Sequence, residues 1–306
     1  MDTAHVSVMP DEVERFFSPL QRGLRICDAT LGGGGHTARL LKRCPSCRFV
    51  GIDADERMIA LARERLGSDA PVTIVHGWFD EVLMEHTVFD RILLDLGVSM
   101  VHLRDPKMGF SFREDGPLDM RLNASPGVEG AAELLRRIPE SELADIIYRY
   151  GEERYSRRIA AAICRDRAEA TRGTASLAEI IRRAVPPAYR RGRNHPATRT
   201  FQAIRIAVND ELGRIERGIP AAATSLAPAG RLVVITFHSL EDRVVKHTFR
   251  ALAGVSTTAQ NMSIVKEEGE FAIVTKKPVV PHEEEVARNP AARSAKMRVL
   301  ERRRRE

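Results

Sequence analysis

Four groups of residues in this chain carry types and spacings that suit ligand chemistry. Asp28 opens the run DATLGGGGHT (28–37), where consecutive glycines offer bare backbone for close approach of a ligand. A helix beginning near His36 adds free N–H groups suited to a carboxylate or phosphate. Asp53 follows about 20 residues past the glycines, the spacing at which a carboxylate accepts both hydroxyls of a ribose. His76-Gly77-Trp78-Phe79 supplies an aromatic pair for adenine, and Asp95-Leu96-Gly97 supplies a second acid above the reacting end. The glycine order is neither GxGxxG nor GxxxxGK[ST], so neither a dinucleotide nor a nucleoside triphosphate is well matched. An acid at Asp28 suits a ligand with a cationic amino end, as S-adenosylmethionine has.

Each group lies just past a predicted strand. Leu24–Ala29, Arg48–Asp53, Val72–His76 and Asp90–Leu96 read as strands, and the first three alternate with helices His36–Arg43 and Glu56–Leu66. Such alternation implies a parallel sheet covered on both faces, with ligands outside the carboxyl ends of its strands. Strand signals then stop. Val128–Arg137, Glu140–Tyr150, Tyr155–Ala170 and Ser176–Val185 carry helical periodicity, with Ser176 and Glu179 as a capping box. Residues 105–195 are therefore expected to form a helical insertion, leaving 1–104 and 196–306 as one discontinuous domain. Beyond it come one long helix striped by Phe201, Ile204, Val208, Leu212, Ile215 and Ile219, the strand Arg231–Ser239, and a helix through Leu252. A terminal hairpin of Ser263–Lys266 with Phe271–Lys277 closes the reading. The expected class is α/β, a doubly wound Rossmann-like sheet interrupted by an all-helical domain.

At 306 residues, 43% hydrophobic and 29% charged, the chain can bury a substantial core, which excludes wholesale disorder. Its longest strand-like apolar block, LVVITF (232–237), is far short of the roughly 18–20 residues of a membrane span. The N-terminus lacks the basic-then-apolar order of a secretory signal, and four cysteines in this length are no disulfide scaffold, so a cytoplasmic location is expected. Cys44-Pro-Ser-Cys47 is a lone CxxC with no second ligand pair; it reads as a helix-end turn, and no metal is expected. Net charge is +6, and from Ile180 to Asn209 there are seven arginines without one acid. That block, and above all Arg190, Arg191 and Arg193 in its Pro- and Gly-rich loop, suggests a polyanion surface; the competing reading is a solvated face. The Arg302–Arg305 run reads as a like-charged tail. His238 and Ser239 beside Glu241 and Asp242 make no hydrolase triad, because triad members converge from separate segments. His238 either faces an acceptor base or lies beside a helix cap at Ser239. Phe110, Phe112, Asp115, Asp119 and Arg121 either grip a flipped base or plug an ordered loop.

HVSVMPDEV (5–13), DATLGGGGHT (28–37), HGWF (76–79), LLDLGVS (93–99), GFSFREDGPLDMR (109–121), YGEERYSRRIA (150–160), HPATRTFQAIRI (195–206) and FHSLEDRVVK (237–246) together resemble the ribosomal-RNA small-subunit methyltransferase H family. The resemblance runs nearly end to end. It implies a class I methyltransferase that moves a methyl group from S-adenosylmethionine to N4 of a cytidine in small-subunit ribosomal RNA near the decoding site. It also implies that Gly34, Gly35, His36, Asp53, Phe79 and Asp95 line the cofactor site. After LGVS the family usually continues Ser-Pro-Gln, with the glutamine touching cofactor; Met100, Val101 and His102 stand there instead, which makes His102 the candidate contact. The lone pair of a cytosine N4 is delocalised into its ring, so the reaction needs an acceptor for the amino hydrogens. Asp95 is the first candidate; Asp119, His238 or a backbone carbonyl are the alternatives. The rival classes are an NAD-dependent oxidoreductase and a non-catalytic RNA-binding module. The latter has no use for Asp53 and Asp95 together at strand ends.

Overall fold

A computed structural model of the chain describes residues 7–85, 87–192, 194–257, 263–265 and 269–304. Strands β1 (Arg25–Asp28), β2 (Arg48–Asp53), β3 (Val72–His76) and β4 (Phe89–Asp95) form where the periodicity places them. They are followed by β5 (Leu226–Thr236), β6 (Val255–Thr257), β7 (Ser263–Val265), β8 (Phe271–Ile273) and β9 (Lys296–Arg302). Seven of these make one sheet in the order β3-β2-β1-β4-β5-β9-β8. β1 pairs in parallel with both β2 and β4, and β4 with β5, whereas β9 runs antiparallel to β5 and β8. Strand order therefore reverses between β1 and β4, which opens a crevice above their carboxyl ends. Asp28 and Asp95 end those two strands.

The central strands are apolar on both faces because helices cover both. Ile92, Leu94, Leu232 and Val234 point to one face, where Ile215 and Ile219 of helix Glu211–Thr224 join them. Leu93, Val233 and Ile235 point to the other, against Val13 and Phe17 of helix Pro10–Phe17. This is the period-two alternation of a strand buried on both sides.

The expected terminal hairpin does not form. Ser263–Val265 pairs instead with Val255–Thr257, and Phe271–Ile273 joins β9, a strand that sequence periodicity did not reveal. Alternate charges in KMRVLER hide its apolar face, yet pairing there buries Phe271 in the sheet's core. The remaining hairpin positions, 266–268, lie outside the described residues. The presumed arginine tail begins inside β9, where Arg302 pairs with Glu270 at 2.6 Å; Arg305 lies outside the described residues.

The chain divides into two compact units, one of Met1–Gly97 with Leu212–Glu306 and one of Val98–Glu211. The helical unit is thus longer at both ends than 105–195. The long helix breaks at Asp210, which adopts a left-handed φ of 49°, and its first half, Thr198–Asn209, packs into the helical core through Phe201 and Ile204. Helix Thr174–Ala184 begins two residues before its predicted cap at Ser176. Its first turn is capped from across the unit, by Asp115 Oδ1 accepting from Ala175 N–H at 2.9 Å. Among the described residues no helix is long and apolar enough to cross a membrane.

Asn209 ties this unit together. Only 4% exposed, its Oδ1 accepts from Leu122 N–H at 2.8 Å and its Nδ2 donates to Met120 O at 2.8 Å. Asn209→Ala leaves both backbone groups unpaired, at about 1–3 kcal/mol each. Urea unfolding is expected to show a loss of about 2–4 kcal/mol, and a loss below about 0.5 kcal/mol would remove the bridge from the account.

Candidate active site

The glycine loop is stitched to both neighbours of β1. Ala29 N–H donates to Leu93 O of β4 at 2.9 Å, and Leu31 N–H donates to Ile52 O of β2 at 2.8 Å. Leu31 can lie over β2 because position 51 is glycine; a Cβ there would sit 2.8 Å from both Leu31 methyls. Gly34 has φ of 73°, a left-handed conformation that favours glycine, and a Cβ on Gly35 would meet Ser7 Oγ at 2.3 Å. Helix Gly35–Arg43 starts from this loop. The separation between loop and Asp53 closes into direct contact, with Asp53 Oδ2 accepting from Gly32 N–H at 2.7 Å. Its Oδ1 accepts from Asp55 N–H at 2.8 Å, so one carboxylate organises both the glycine loop and the start of helix Glu56–Leu66.

At the crevice, Asp28 Oδ2 accepts from Thr37 Oγ1 at 2.7 Å, and Asp95 N–H donates to Thr30 Oγ1 at 2.6 Å. His36 Nε2 lies 3.4 Å from Asp95 Oδ2, within ion-pair reach. Thr30 and Thr37 are not legible as site residues in the sequence, since an isolated threonine beside a glycine run carries no signature of its own. Burial raises the Asp28 carboxyl from 3.8 to about 6, against the opposing pull of His36 and Thr37. For His36, burial lowers the pKa, but Asp95 and Asp28 outweigh it and the net shift is upward from 6.5. Asp28 Oδ1 and Asp95 Oδ1 are buried with no hydrogen-bond partner among the described residues, whereas His36 Nε2 has only Asp95 beside it. Native interiors pair nearly all such atoms, so two open carboxylate oxygens beside a glycine cradle fit a polar ligand.

The aromatic pair expected to face adenine divides. Phe79, 8% exposed, opens helix Phe79–Val82 and packs in the sheet's core, so close to Gly218 that a Cβ there would lie 2.2 Å from its ring. Trp78 carries the Arg214 guanidinium 3.8 Å from its ring centroid, and Arg214 is itself anchored on Asp80 and Glu81. His238, and not Ser239, caps helix Ser239–Leu252: its Nδ1 accepts from Glu241 N–H at 3.4 Å. Glu241 closes the box by accepting from His238 N–H at 3.2 Å, and it also accepts from Phe237 N–H at 2.7 Å. This is a capping box with histidine in the place usually held by serine or threonine, so its sequence does not match the usual pattern. Cys44 and Cys47, expected as an open turn, are joined as a disulfide with Cα atoms 5.5 Å apart.

In the helical unit, His102 Nδ1 accepts from Ser99 N–H at 3.1 Å and closes the capping box of helix Met100–Arg104. Asp119 holds Arg121 through both carboxylate oxygens, at 2.7 and 2.9 Å. Phe110 is buried in the helical core, and Phe112 packs against Phe201 and His195. Asp115 caps helix Thr174–Ala184, so Phe110, Phe112 and Asp115 all make contacts inside this unit. The acid-free arginine block does not stay acid-free in space. Arg182 and Arg183 pair with Glu179, and Arg205 with Glu211. Arg190 donates to Val185 O and Arg183 O at 3.1 Å each, satisfying the end of helix Thr174–Ala184, and Arg199 donates to Glu152 O. Arg191 is exposed, and Arg193 lies outside the described residues.

The chain matches the MraW methylase family over residues 2–303. It is 46% identical to the ribosomal RNA small subunit methyltransferase H of Pelobacter propionicus, over 97% of this chain and 98% of that one. The same name is borne by a Treponema denticola relative, 46% identical over 98% of each chain. A third, from Synechococcus sp. CC9605, is 48% identical over 98% of this chain and 97% of the relative.

Proposed function

The chain belongs to the MraW methylase family, and from that membership we propose that it transfers a methyl group from S-adenosylmethionine to the exocyclic N4 of a cytidine in small-subunit ribosomal RNA. The observation that carries the reading is the pair of open, buried carboxylate oxygens on Asp28 and Asp95, set where strand order reverses. When bound, S-adenosylmethionine supplies an electrophilic sulfonium methyl. Asp53 and the glycine loop hold the nucleoside; a carboxylate has about four acceptor sites, so clamping Gly32 is compatible with accepting ribose hydroxyls. Asp28 offers its open oxygen to the cationic amino end. Asp95 accepts a hydrogen bond from the cytosine amino group, which directs the nitrogen lone pair outward, and it is the base nearest to receive the proton lost. His36, with Nε2 3.4 Å from Asp95 Oδ2, orients that carboxylate. Asp119 and His238 are weaker candidates for the same task, because Arg121 and Glu241 already engage them. Arg191, with Arg190 and Arg193, contacts RNA phosphates, which position the substrate without choosing the base.

The test is incubation of the purified protein with methyl-labelled S-adenosylmethionine and small-subunit RNA, followed by nucleoside digestion. Label in N4-methylcytidine is expected. Label in another nucleoside, or none with either free RNA or assembled subunits, would overturn the reading, as would tight binding of NADH in its place.

A pH dependence follows from Asp28. Its carboxyl, at about 6 in the folded protein, is neutral below that pH and cannot pair with an ammonium group. Cofactor affinity is therefore expected to fall as pH drops from 7 to 5, by at most about tenfold per unit below 6. Calorimetry across that range checks it; a flat profile would remove Asp28 from the binding site.

A further inference from the structure

The segment Glu153–Tyr155 and the short helix Pro187–Arg190 meet in the helical unit in an arrangement that no step above uses. Tyr155 and Tyr189 contact edge to face, with ring centroids 5.0 Å apart and planes at 73°. The Arg154 guanidinium lies over both, 4.8 Å from the Tyr155 centroid and 5.2 Å from that of Tyr189. Beneath them Glu153, 0% exposed, accepts from Tyr155 N–H at 2.9 Å and from the Tyr189 hydroxyl. A buried carboxylate is costly unless hydrogen-bonded, so these two bonds fix where the rings stand. Arg154 is exposed, and among the described residues no carboxylate pairs with it; the rings alone orient it. Arg157 and Arg158, in the first turn of helix Ser156–Arg165, and Arg191, two residues past Tyr189, are likewise exposed and unpaired among the described residues.

We infer that Arg154, held over Tyr155 and Tyr189, is a stacking platform for an unpaired RNA base. The inference rests on the reading that the chain acts on ribosomal RNA, and it assigns a single-stranded element of that RNA to this surface. A guanidinium is planar and weakly hydrated, and that of Arg154 is held by the rings while staying exposed, so its plane is open to a base. Bases stack on such planes as they do on aromatic rings, and only an unpaired base exposes its face. The surrounding arginines take the flanking phosphates. Lysine keeps the charge of Arg154 but has no plane, so Arg154→Lys separates stacking from electrostatics.

The experiment is fluorescence anisotropy of the full-length protein with a labelled single-stranded RNA of about 12 nucleotides, and with the same strand annealed to its complement. Arg154→Lys is expected to weaken single-strand binding about tenfold or more, to leave duplex binding within about twofold, and to keep the salt slope. Tyr189→Leu, which removes the supporting ring, is expected to weaken single-strand binding in the same way. Arg191→Ala is expected to flatten the slope of log affinity on log salt by about 0.7. Wild-type single-strand affinity in Arg154→Lys would overturn the platform. So would equal losses on single strand and duplex, or displacement by polyglutamate as effective as by RNA. Wild-type protein that binds neither RNA would overturn it as well. A wild-type protein that shows the single-strand preference yet transfers no methyl group would remove the proposed reaction and leave the platform standing.

Discussion

Asp95→Ala is expected to lower turnover at saturating S-adenosylmethionine by at least about 100-fold, the range in which a positioned proton acceptor contributes to rate. Asp95 ends β4, its backbone N–H is pinned to Thr30, and its Oδ1 is a buried acceptor with no partner among the described residues. Such an atom strengthens its hydrogen bond as positive charge develops on the attacking amino nitrogen. The interaction therefore belongs to the transition state more than to bound substrate, and its loss appears in turnover. Asp95→Asn keeps an acceptor oxygen and removes the charge. It should fall between wild type and alanine, and it should lower the His36 pKa, because burial alone depresses that imidazole and Asp95 is the main force raising it. Single-turnover rates and a pH–rate profile of the three proteins check both statements. If Asp95→Ala retained turnover within about threefold of wild type, Asp95 would be a cofactor contact and nothing more.

Asp53→Ala is expected to weaken S-adenosylmethionine binding by about 1–3 kcal/mol, roughly 5- to 150-fold, with a much smaller loss of turnover once cofactor saturates. Two effects add. The charge-assisted bonds to the ribose disappear, and Gly32 N–H loses the acceptor that fixes the glycine loop. Asp53→Asn separates them, since a side-chain oxygen can still accept from Gly32 while the charge is gone; its affinity should lie between the other two. Calorimetry of the three proteins decides the matter. Unchanged affinity in Asp53→Ala would sink the ribose assignment, and equal losses in both variants would make charge the whole of the effect.

Most of the sheet and the outline of the site were legible before any coordinates. Runs such as RFVGID and RILLD carry their own strand signal, and the glycine loop announces a close backbone approach. The Asp53 spacing was legible too, because one strand–helix–strand repeat separates loop and acid by a near-constant number of residues. The partners of individual side chains were not. An acid-free stretch of arginines looked like a free cationic surface, yet Glu179 and Glu211, one just before it and one just after, fold back onto three of them. Phe79, placed at the cofactor site by resemblance, packs in the sheet's core, where Gly218 on a distant helix leaves room for its ring. Asp115, left open by the sequence between gripping a base and plugging a loop, caps helix Thr174–Ala184, which starts beside it.

By itself the sequence determined the α/β class, the parallel strands β1 to β4, the helical insertion and the strand-end positions of Asp28, Asp53 and Asp95. Each of these follows from periodicity or spacing within a few tens of residues. Tertiary structure alone decided that β9 would enter the sheet between β5 and β8, that His36 would stand between two acids, and that Arg154 would lie over two tyrosines. The physical reason is the same in all three. A strand's pairing partner, an imidazole's charge and a guanidinium's orientation each depend on a group from another segment, as Arg154 depends on Tyr189 and His36 on Asp95, and no local pattern records which one folding brings near.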